Sequence, residues 1–303
     1  MTRRIHGIVP ILPTPFTEGG DIDRAGMRKT IEYVLRAGAH GVAFPAMASE
    51  FYALTDSERI ELTKLVVHEV GGAVPVVGTA TSQSPQAAVE LARAVADAGV
   101  DAIMVMPPYV VRDGLPGVTK LFSQLSAAVN VPLMLQNAPP PLGSAYGPDV
   151  VRKLIDDVPQ IHYVKEETTP GGQRITKLLA DPPKALVGIF GGAGGRYIMD
   201  ELNRGAIGAM PASEITEVHV RIWNAYKSGD ENGARELYNR SLPLLTFQAI
   251  FRMDMTKEVL RRRGIIGSPH VRVGSVPLDA LDQEELSVLL AEIEDLLLAP
   301  ARA

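Results

Sequence analysis

The chain contains no cysteine, which excludes disulfide bonds, thiolate nucleophiles and thiolate metal ligands together. Its six histidines are widely separated, and no two of them have the HxxxH or HExxH spacing of a zinc site. A Ser-centred nucleophile elbow, GxSxG, is also missing. We therefore expect a protein whose chemistry needs no metal ion.

Long apolar runs and an excess of positive charge are missing as well. No apolar stretch is long enough to span a bilayer, and the apolar run after the N-terminus is broken by Pro10 and Pro13, unlike a signal peptide. The formal net charge of −5 disfavours binding to nucleic acid or to an anionic membrane surface. We expect a cytoplasmic protein that acts on small molecules.

What the sequence does contain is an alternation of short apolar strands with amphipathic helices. The predicted strands are 8–12, 41–45, 74–79, 102–106, 132–136, 161–165, 185–190 and 206–210. Eight strand–helix units predict a (β/α)8 TIM barrel over residues 1–225. No GxGxxG motif follows the first strand, which disfavours a dinucleotide-binding fold. Residues 226–303 are predicted to form a C-terminal extension, helical throughout, packed on the barrel.

Lys165 ends the sixth predicted strand, whereas the other lysines lie in predicted helices or, for Lys184, in a loop. Desolvation disfavours an ammonium ion, so a lysine at the end of an apolar strand can become a nucleophile toward a carbonyl carbon. The alternative is a side chain that reaches solvent. Strand alternation places Lys165 and Glu167 on one side and Glu166 on the other.

Active sites of such barrels lie at the C-terminal ends of the strands, so the loops there should converge on Lys165. These loops contain Thr14 after strand one, Ala48 and Ser49 after strand two, Tyr109 after strand four, and Gly192 after strand seven. The glycine-rich segment 191–195 is compatible with an anion cradle formed by backbone N–H groups, and equally with a tight turn.

Several segments, in order, resemble the dihydrodipicolinate synthase / N-acetylneuraminate lyase superfamily. They are GIVPILPTPF at 7–16, the small-residue loop ending in Glu50, the Pro-Pro-Tyr turn ending in Tyr109, Lys165-Glu166, and KEVL at 257–260. The resemblance implies a barrel in which Lys165 forms a Schiff base with pyruvate or another 2-keto acid. It also implies a homo-oligomer, either a tetramer or a dimer.

The chain departs from the synthase at the hydroxyls that form its proton relay. The usual Thr-Thr of the second loop is Met47-Ala48 here, the tyrosine after strand five is Gln136, and the second tyrosine of the Pro-Tyr-Tyr turn is Val110. An amide cannot carry protons as a phenol can, so synthase or neuraminate lyase activity is not expected. Gln136, Ser49-Glu50 and Lys165-Glu-Glu-Thr-Thr-Pro170 are instead similar to an L-2-keto-3-deoxyarabonate dehydratase-like branch.

These observations lead to the hypothesis of a Schiff-base lyase that dehydrates a 2-keto-3-deoxy sugar acid. Lys165 forms the imine, so that no separate cofactor is needed. Glu167 acts as acid and base, and Gln136 hydrogen-bonds the substrate or orients water. Ser49 and the Ala48 backbone bind the substrate carboxylate, and Thr168 assists. The alternatives are retro-aldol cleavage on the same lysine, to pyruvate and an aldehyde, and a sugar-acid-binding relative without catalysis. The sequence leaves the chain length and stereochemistry of the substrate open. For Glu167, the alternative to a catalytic role is a solvated charge at the end of a strand.

Overall fold

Parallel strands and helices alternate along the chain in a computed structural model that describes residues 3–141 and 143–299. The strands are β1 (Gly7–Ile8), β2 (Val42–Phe44), β3 (Val76–Thr79), β4 (Ala102–Val105), β5 (Leu133–Asn137), β6 (Ile161–Glu166), β7 (Gly188–Gly191) and β8 (Gly208–Ala209). The helices of the strand–helix units are α1 (Arg24–Arg36), α2 (Asp56–Val70), α3 (Pro85–Asp97), α4 (Leu115–Ala128), α5 (Pro148–Asp157), α6 (Gly171–Leu179), α7 (Ile198–Asn203) and α8 (Thr216–Lys227). Three more helices follow: α9 (Glu231–Phe251), α10 (Met253–Arg262) and α11 (Ala280–Ala291).

The strands form a ring whose order is β1-β8-β7-β6-β5-β4-β3-β2. The segment after β1 closes it, because Ile11 bridges Ala212 on one side and Ala43 on the other. The Ala43 N–H donates to Pro10 O at 3.0 Å, and the Leu12 N–H donates to Ala43 O at 3.0 Å. The (β/α)8 barrel predicted from the sequence is therefore confirmed.

Two apolar layers hold the barrel together. The inner layer fills the ring with large side chains such as Met104, Met134, Tyr163 and Phe190. The outer layer lies between the strands and the helices, where alternate strand residues such as Val164 meet the apolar helix faces. Full burial of a large apolar side chain contributes roughly 1.5–3 kcal/mol, so these layers supply most of the stabilisation. The ring is a packed core, and the space for a ligand lies at its end.

Three elements differ from the predicted bounds for local reasons. β1 ends at Ile8, because Pro10 has no N–H to donate to the ladder. β7 begins only at Gly188, because Pro183 starts a turn in which Leu186 N donates to Pro183 O. The helix that follows β7 begins only at Ile198, since Gly194 and Gly195 have positive φ values of 68° and 83°.

The segment after α8 is not helical throughout, which corrects the prediction. Residue 225, where the barrel was expected to end, lies in the last turn of α8. Between α10 and α11 the chain runs without a helix from Gly264 to Asp279, a stretch that contains Pro269 and Pro277. Within residues 3–141 and 143–299, no helix combines the length and the apolar character needed to cross a membrane.

Candidate active site

Lys165 lies on the inner side of β6, near its C-terminal end, with 4% of its side chain exposed. The alternation of the strand places it there: Tyr163 belongs to the inner layer and Val164 to the outer layer. The alternative considered from the sequence was a Lys165 side chain that reaches solvent. The structure instead buries this side chain. Its ammonium nitrogen is 3.1 Å from Glu167 Oε1.

Glu167 receives three donors at its carboxylate. Besides the contact with Lys165, the Gln136 amide donates to Oε2 at 2.8 Å, and the Ala193 N–H donates to Oε1 at 3.3 Å. Burial acts to raise the pKa of Glu167, but the charge of Lys165 and these hydrogen bonds hold it below its usual range. Glu167 is thus kept as a carboxylate, able to accept a proton. Gln136 contacts this carboxylate, a partner that the sequence did not suggest.

Glu166 points away from Lys165, as the strand alternation predicts. It lies 3.4 Å from the Arg174 guanidinium and accepts from Asn137 Nδ2 at 2.8 Å. Thr168, expected near the substrate, instead donates both its hydroxyl and its N–H to Glu166, the latter at 2.9 Å. Burial raises the pKa of Glu166. The contacts of Glu166 with Asn137, Thr168 and Arg174 hold the loop after β6 on the side that faces away from Lys165.

A cavity of about 190 Å³ lies at the C-terminal end of the barrel and contains Lys165 and Glu167 in its wall. Most of the remaining wall is apolar and comes from the loops after the strands: Ile11, Met47, Ala48, Ala138, Pro139, Ala193, Met210 and Ala212. Active sites of barrel enzymes lie at this end of the barrel, in apolar cavities with a few polar groups. A cavity with a lysine and a carboxylate in its wall is therefore the candidate active site.

Thr14 and Ser49 lie beside this cavity, but their hydroxyls are already used. The Ser49 hydroxyl donates to Leu12 O at 2.5 Å and accepts from Ala46 N at 3.0 Å. The Thr14 hydroxyl donates to Ser49 O at 2.6 Å. These contacts fix the short turn Met47–Ser49, of which Met47 and Ala48 line the cavity.

Tyr109 and Gly192 lie around the cavity without lining it. Tyr109 packs against the cluster of Phe51, Met106 and Ala138. A side chain at Gly192 would place its Cβ 2.5 Å from Glu167 Cγ, so the glycine allows the loop after β7 to approach this carboxylate. The loop therefore does bind an anion through its backbone, and that anion is Glu167 of the chain itself.

Three polar residues of the cavity wall were not identified from the sequence: Arg196, Gln248 and Arg252. Arg196 follows the glycine loop, and the other two lie at the end of α9 and at its junction with α10. Arg196 Nη1 donates to Gln248 Oε1 at 3.1 Å and to Leu245 O at 3.3 Å. All three residues are far from Lys165 in the sequence, and no local sequence pattern indicates that their side chains face the cavity.

Buried ionisable groups lie behind the cavity. Burial raises the pKa of Glu201 to about 8 and that of Glu214 to about 7. Burial lowers the pKa of His219 to about 4, and this ring lies against Gly195. At neutral pH these values keep Glu201 protonated and His219 neutral. Across the described ranges, no three His, Asp or Glu side chains group together in a way that could hold a metal ion.

A model of the dihydrodipicolinate synthetase family matches residues 4–293 of the chain. The chain belongs to this family. Among curated relatives of this family protein, the L-2-keto-3-deoxyarabonate dehydratase of Azospirillum brasilense is 28% identical over 301 residues, which cover 98% of the chain and 97% of the relative. The 4-hydroxy-tetrahydrodipicolinate synthase of Methanopyrus kandleri is 32% identical over 252 residues, with 80% and 81% covered.

The fold of this family protein also matches solved structures. Dihydrodipicolinate synthase from Rhodopseudomonas palustris superposes with a TM-score of 0.88 at 27% identity, covering 95% of the chain and 97% of that structure. The protein is thus a lyase of the dihydrodipicolinate synthetase family with the barrel of its relatives. The chain is similar to both a dehydratase and synthases, so the reaction it catalyses has to be inferred from the residues of its own site.

Proposed function

We propose that the protein is a Schiff-base lyase that dehydrates a 2-keto-3-deoxy sugar acid. The observation that carries the proposal is the pairing of Lys165 with Glu167, 3.1 Å apart in the wall of a cavity at the C-terminal end of the barrel. The similarity over nearly the whole chain to an L-2-keto-3-deoxyarabonate dehydratase supports the choice of dehydration.

In the proposed first step, Lys165 attacks the keto carbon of the substrate. An amine must be neutral to act as a nucleophile, and Glu167 Oε1 is close enough to take the proton from Lys165 Nζ. Addition of the amine and loss of the keto oxygen as water give a protonated imine. This cation withdraws electrons and acidifies the hydrogens on carbon three.

In the second step, the Glu167 carboxylate removes a proton from carbon three. It is available for this role because its neighbours keep its pKa low. The resulting enamine expels the hydroxyl of carbon four, which takes a proton and leaves as water. Hydrolysis of the imine then releases the dehydrated keto acid and regenerates Lys165. Gln136 holds Glu167 in position throughout.

We propose that the substrate carboxylate lies against the turn Met47–Ser49. Ala48 lines the cavity, and its N–H makes no hydrogen bond to another described residue. The Ser49 hydroxyl is committed to Leu12 O, so its proposed part is to fix the turn and leave the Ala48 backbone facing the substrate. A backbone N–H is a suitable donor to a carboxylate.

The imine is tested by incubating the protein with pyruvate and borohydride, followed by intact mass measurement. We expect a single adduct with the mass of pyruvic acid less one oxygen, located on Lys165 by peptide mapping. Lys165→Ala should give no adduct, and the exposed Lys184→Ala should give the wild-type adduct. If the wild-type protein forms no adduct, the Schiff-base mechanism is wrong.

The type of lyase is tested by product analysis with a panel of 2-keto-3-deoxy acids. Dehydration predicts that the carbon chain stays whole and that a semialdehyde or an unsaturated keto acid accumulates. Free pyruvate with an aldehyde would show retro-aldol cleavage instead. An adduct without turnover of any panel member would favour a sugar-acid-binding relative.

A further inference from the structure

Arg196 and Arg252 line the same cavity as Lys165, and neither forms an ion pair with a carboxylate of the described residues. Other cationic side chains around the end of the barrel do form ion pairs: Arg174 with Glu166, Lys257 with Glu50, and Arg272 with Glu58. Two guanidinium groups without an ion-pair partner therefore lie in the wall of one cavity, Arg196 half-buried and Arg252 exposed.

The two arginines are close enough to act on each other. Burial lowers the pKa of Arg196, and the charge of Arg252 acts in the same direction. Arg196 is held in place by Gln248, whose own amide nitrogen donates to Thr256 Oγ1 at 3.3 Å. One guanidinium is therefore fixed before any ligand arrives, and a second lies beside it on the same wall.

The backbone at Arg252 adds an independent observation. This residue separates α9 from α10 with a φ of 50° and a ψ of −115°, a conformation that favours glycine. Residues held in such conformations concentrate at functional sites, where surrounding structure maintains them. At this position the strained backbone coincides with a charged side chain on the cavity wall.

Apart from the Lys165–Glu167 pair, the two guanidinium groups and Gln248, few side chains of the cavity wall can bind a hydroxyl group. Much of the wall is apolar, with side chains such as Met47, Met210 and Met253. A substrate with many hydroxyls would leave several of them without partners there, which is costly in a site sheltered from water. A short chain with an anionic group at its far end would leave fewer unpaired groups.

We propose that Arg196 and Arg252 bind an anionic group at the end of the substrate distant from the keto carbon. The shared chemistry is an oxyanion, and it can come from a second carboxylate or from a phosphate, both of which match the paired donors of a guanidinium. The inference rests on the proposed Schiff base at Lys165 and narrows its substrates to 2-keto acids that carry such a terminal anion.

The test uses pairs of keto acids that differ only at the far end. They are 2-oxoglutarate with 2-oxopentanoate, and 2-oxoadipate with 2-oxohexanoate, and each is trapped on Lys165 with borohydride over a range of concentrations. In at least one pair we expect half-maximal labelling at an about 10- to 100-fold lower concentration for the dianion, the range that charge-assisted hydrogen bonds give. A 2-oxo acid of the same length ending in a phosphonate shows whether phosphate is the preferred source.

Arg252→Gln should reduce this preference, because the half-maximal concentration should rise more for the dianion than for its neutral-ended partner. Arg252 is exposed, so the variant should fold, and Arg93→Gln on the outer helix α3 should keep the wild-type preference. Equal half-maximal concentrations within both pairs would overturn the proposal, as would a variant that weakens both members of a pair alike.

The proposed function and this inference fail in different ways. Labelling by every acid without a preference for the dianion would retain the imine and reject the arginine site. If no acid labels Lys165, the imine is wrong, and isothermal titration of the same pairs then decides the arginine site by itself. A dianion that binds no more tightly than its neutral-ended partner would reject it there too.

Discussion

Lys257 and Glu50 form an ion pair in which neither side chain is exposed to solvent. Lys257 also donates to His270 O at 2.7 Å, and Glu50 accepts from the Arg272 N–H at 3.0 Å. Glu50 directly follows the turn Met47–Ser49 and has a positive φ of 57°. The pair therefore ties α10, and the non-helical segment after it, to the loop on which the proposed carboxylate site lies.

Lys257→Met should destabilise the protein strongly. The substitution leaves the Glu50 carboxylate buried without its cation, a change that costs about 3–5 kcal/mol in proteins. Urea unfolding measures the loss. Lys153→Met, which removes the solvent-exposed pair with Asp157, should cost less than about 1 kcal/mol. A similar cost for both variants would contradict the structural role of the buried pair.

Glu167→Gln should separate imine formation from turnover. The amide cannot accept a proton, so we expect turnover of a 2-keto-3-deoxy acid to fall by about 10²–10⁴. Trapping with pyruvate and borohydride should still reach a complete adduct on Lys165, although more slowly. The exposed Glu18→Gln is the control. Near-wild-type turnover in Glu167→Gln would remove Glu167 from the proposed mechanism.

Gln136→Leu should move the acid limb of the pH–rate profile to higher pH. A general base must be deprotonated, so activity falls as the pH drops through the pKa of Glu167. The Gln136 amide donates to this carboxylate and helps to lower its pKa, and leucine removes that donor. We expect kcat/KM on this acid limb to fall by roughly tenfold, with a smaller change near neutral pH, where Glu167 stays ionised.

The control for this variant is Gln160→Leu, which removes donors to Val129 O and Val131 O outside the cavity. It should change stability without moving the acid limb. An unshifted acid limb in Gln136→Leu would mean that Glu167 is not the group whose ionisation limits the reaction.

Glu201→Gln should weaken the pH dependence of stability. Burial raises the folded-state pKa of Glu201 from 4.5 to about 8, so its contribution is fully present below the unfolded pKa and is lost as the pH rises through the folded pKa. The free energy of unfolding should therefore decline between these values, by up to about 1.4 kcal/mol per pH unit from this group.

The glutamine variant resembles the protonated acid and cannot ionise. We expect its stability to match the wild type near pH 5 and to exceed it above pH 8, as measured by urea unfolding across the pH range. Glu90→Gln, an exposed substitution on α3, should follow the wild-type curve. Parallel curves for Glu201→Gln and the wild type would show that Glu201 is ionised in the folded protein.

The sequence predicted the elements that have a local cause. Helix α2 begins at the capping box Thr55–Glu58, and helix α3 begins at Ser84-Pro85. The period of two along β6 placed Lys165 and Glu167 on one side and Glu166 on the other. Each of these features depends on residues within a few positions of each other.

The barrel, the lysine near the end of β6 and the carboxylate beside it could be predicted from patterns along the sequence. Three contacts could be seen only in the folded chain: the Ser49 hydroxyl donates to Leu12, Gln136 holds Glu167, and Arg196 and Arg252 reach the cavity. The two groups differ in how far apart in sequence the interacting residues lie. Strand and helix patterns follow from neighbouring residues, whereas these contacts exist only after the barrel closes and α9 packs across its end, driven by apolar burial along the whole chain.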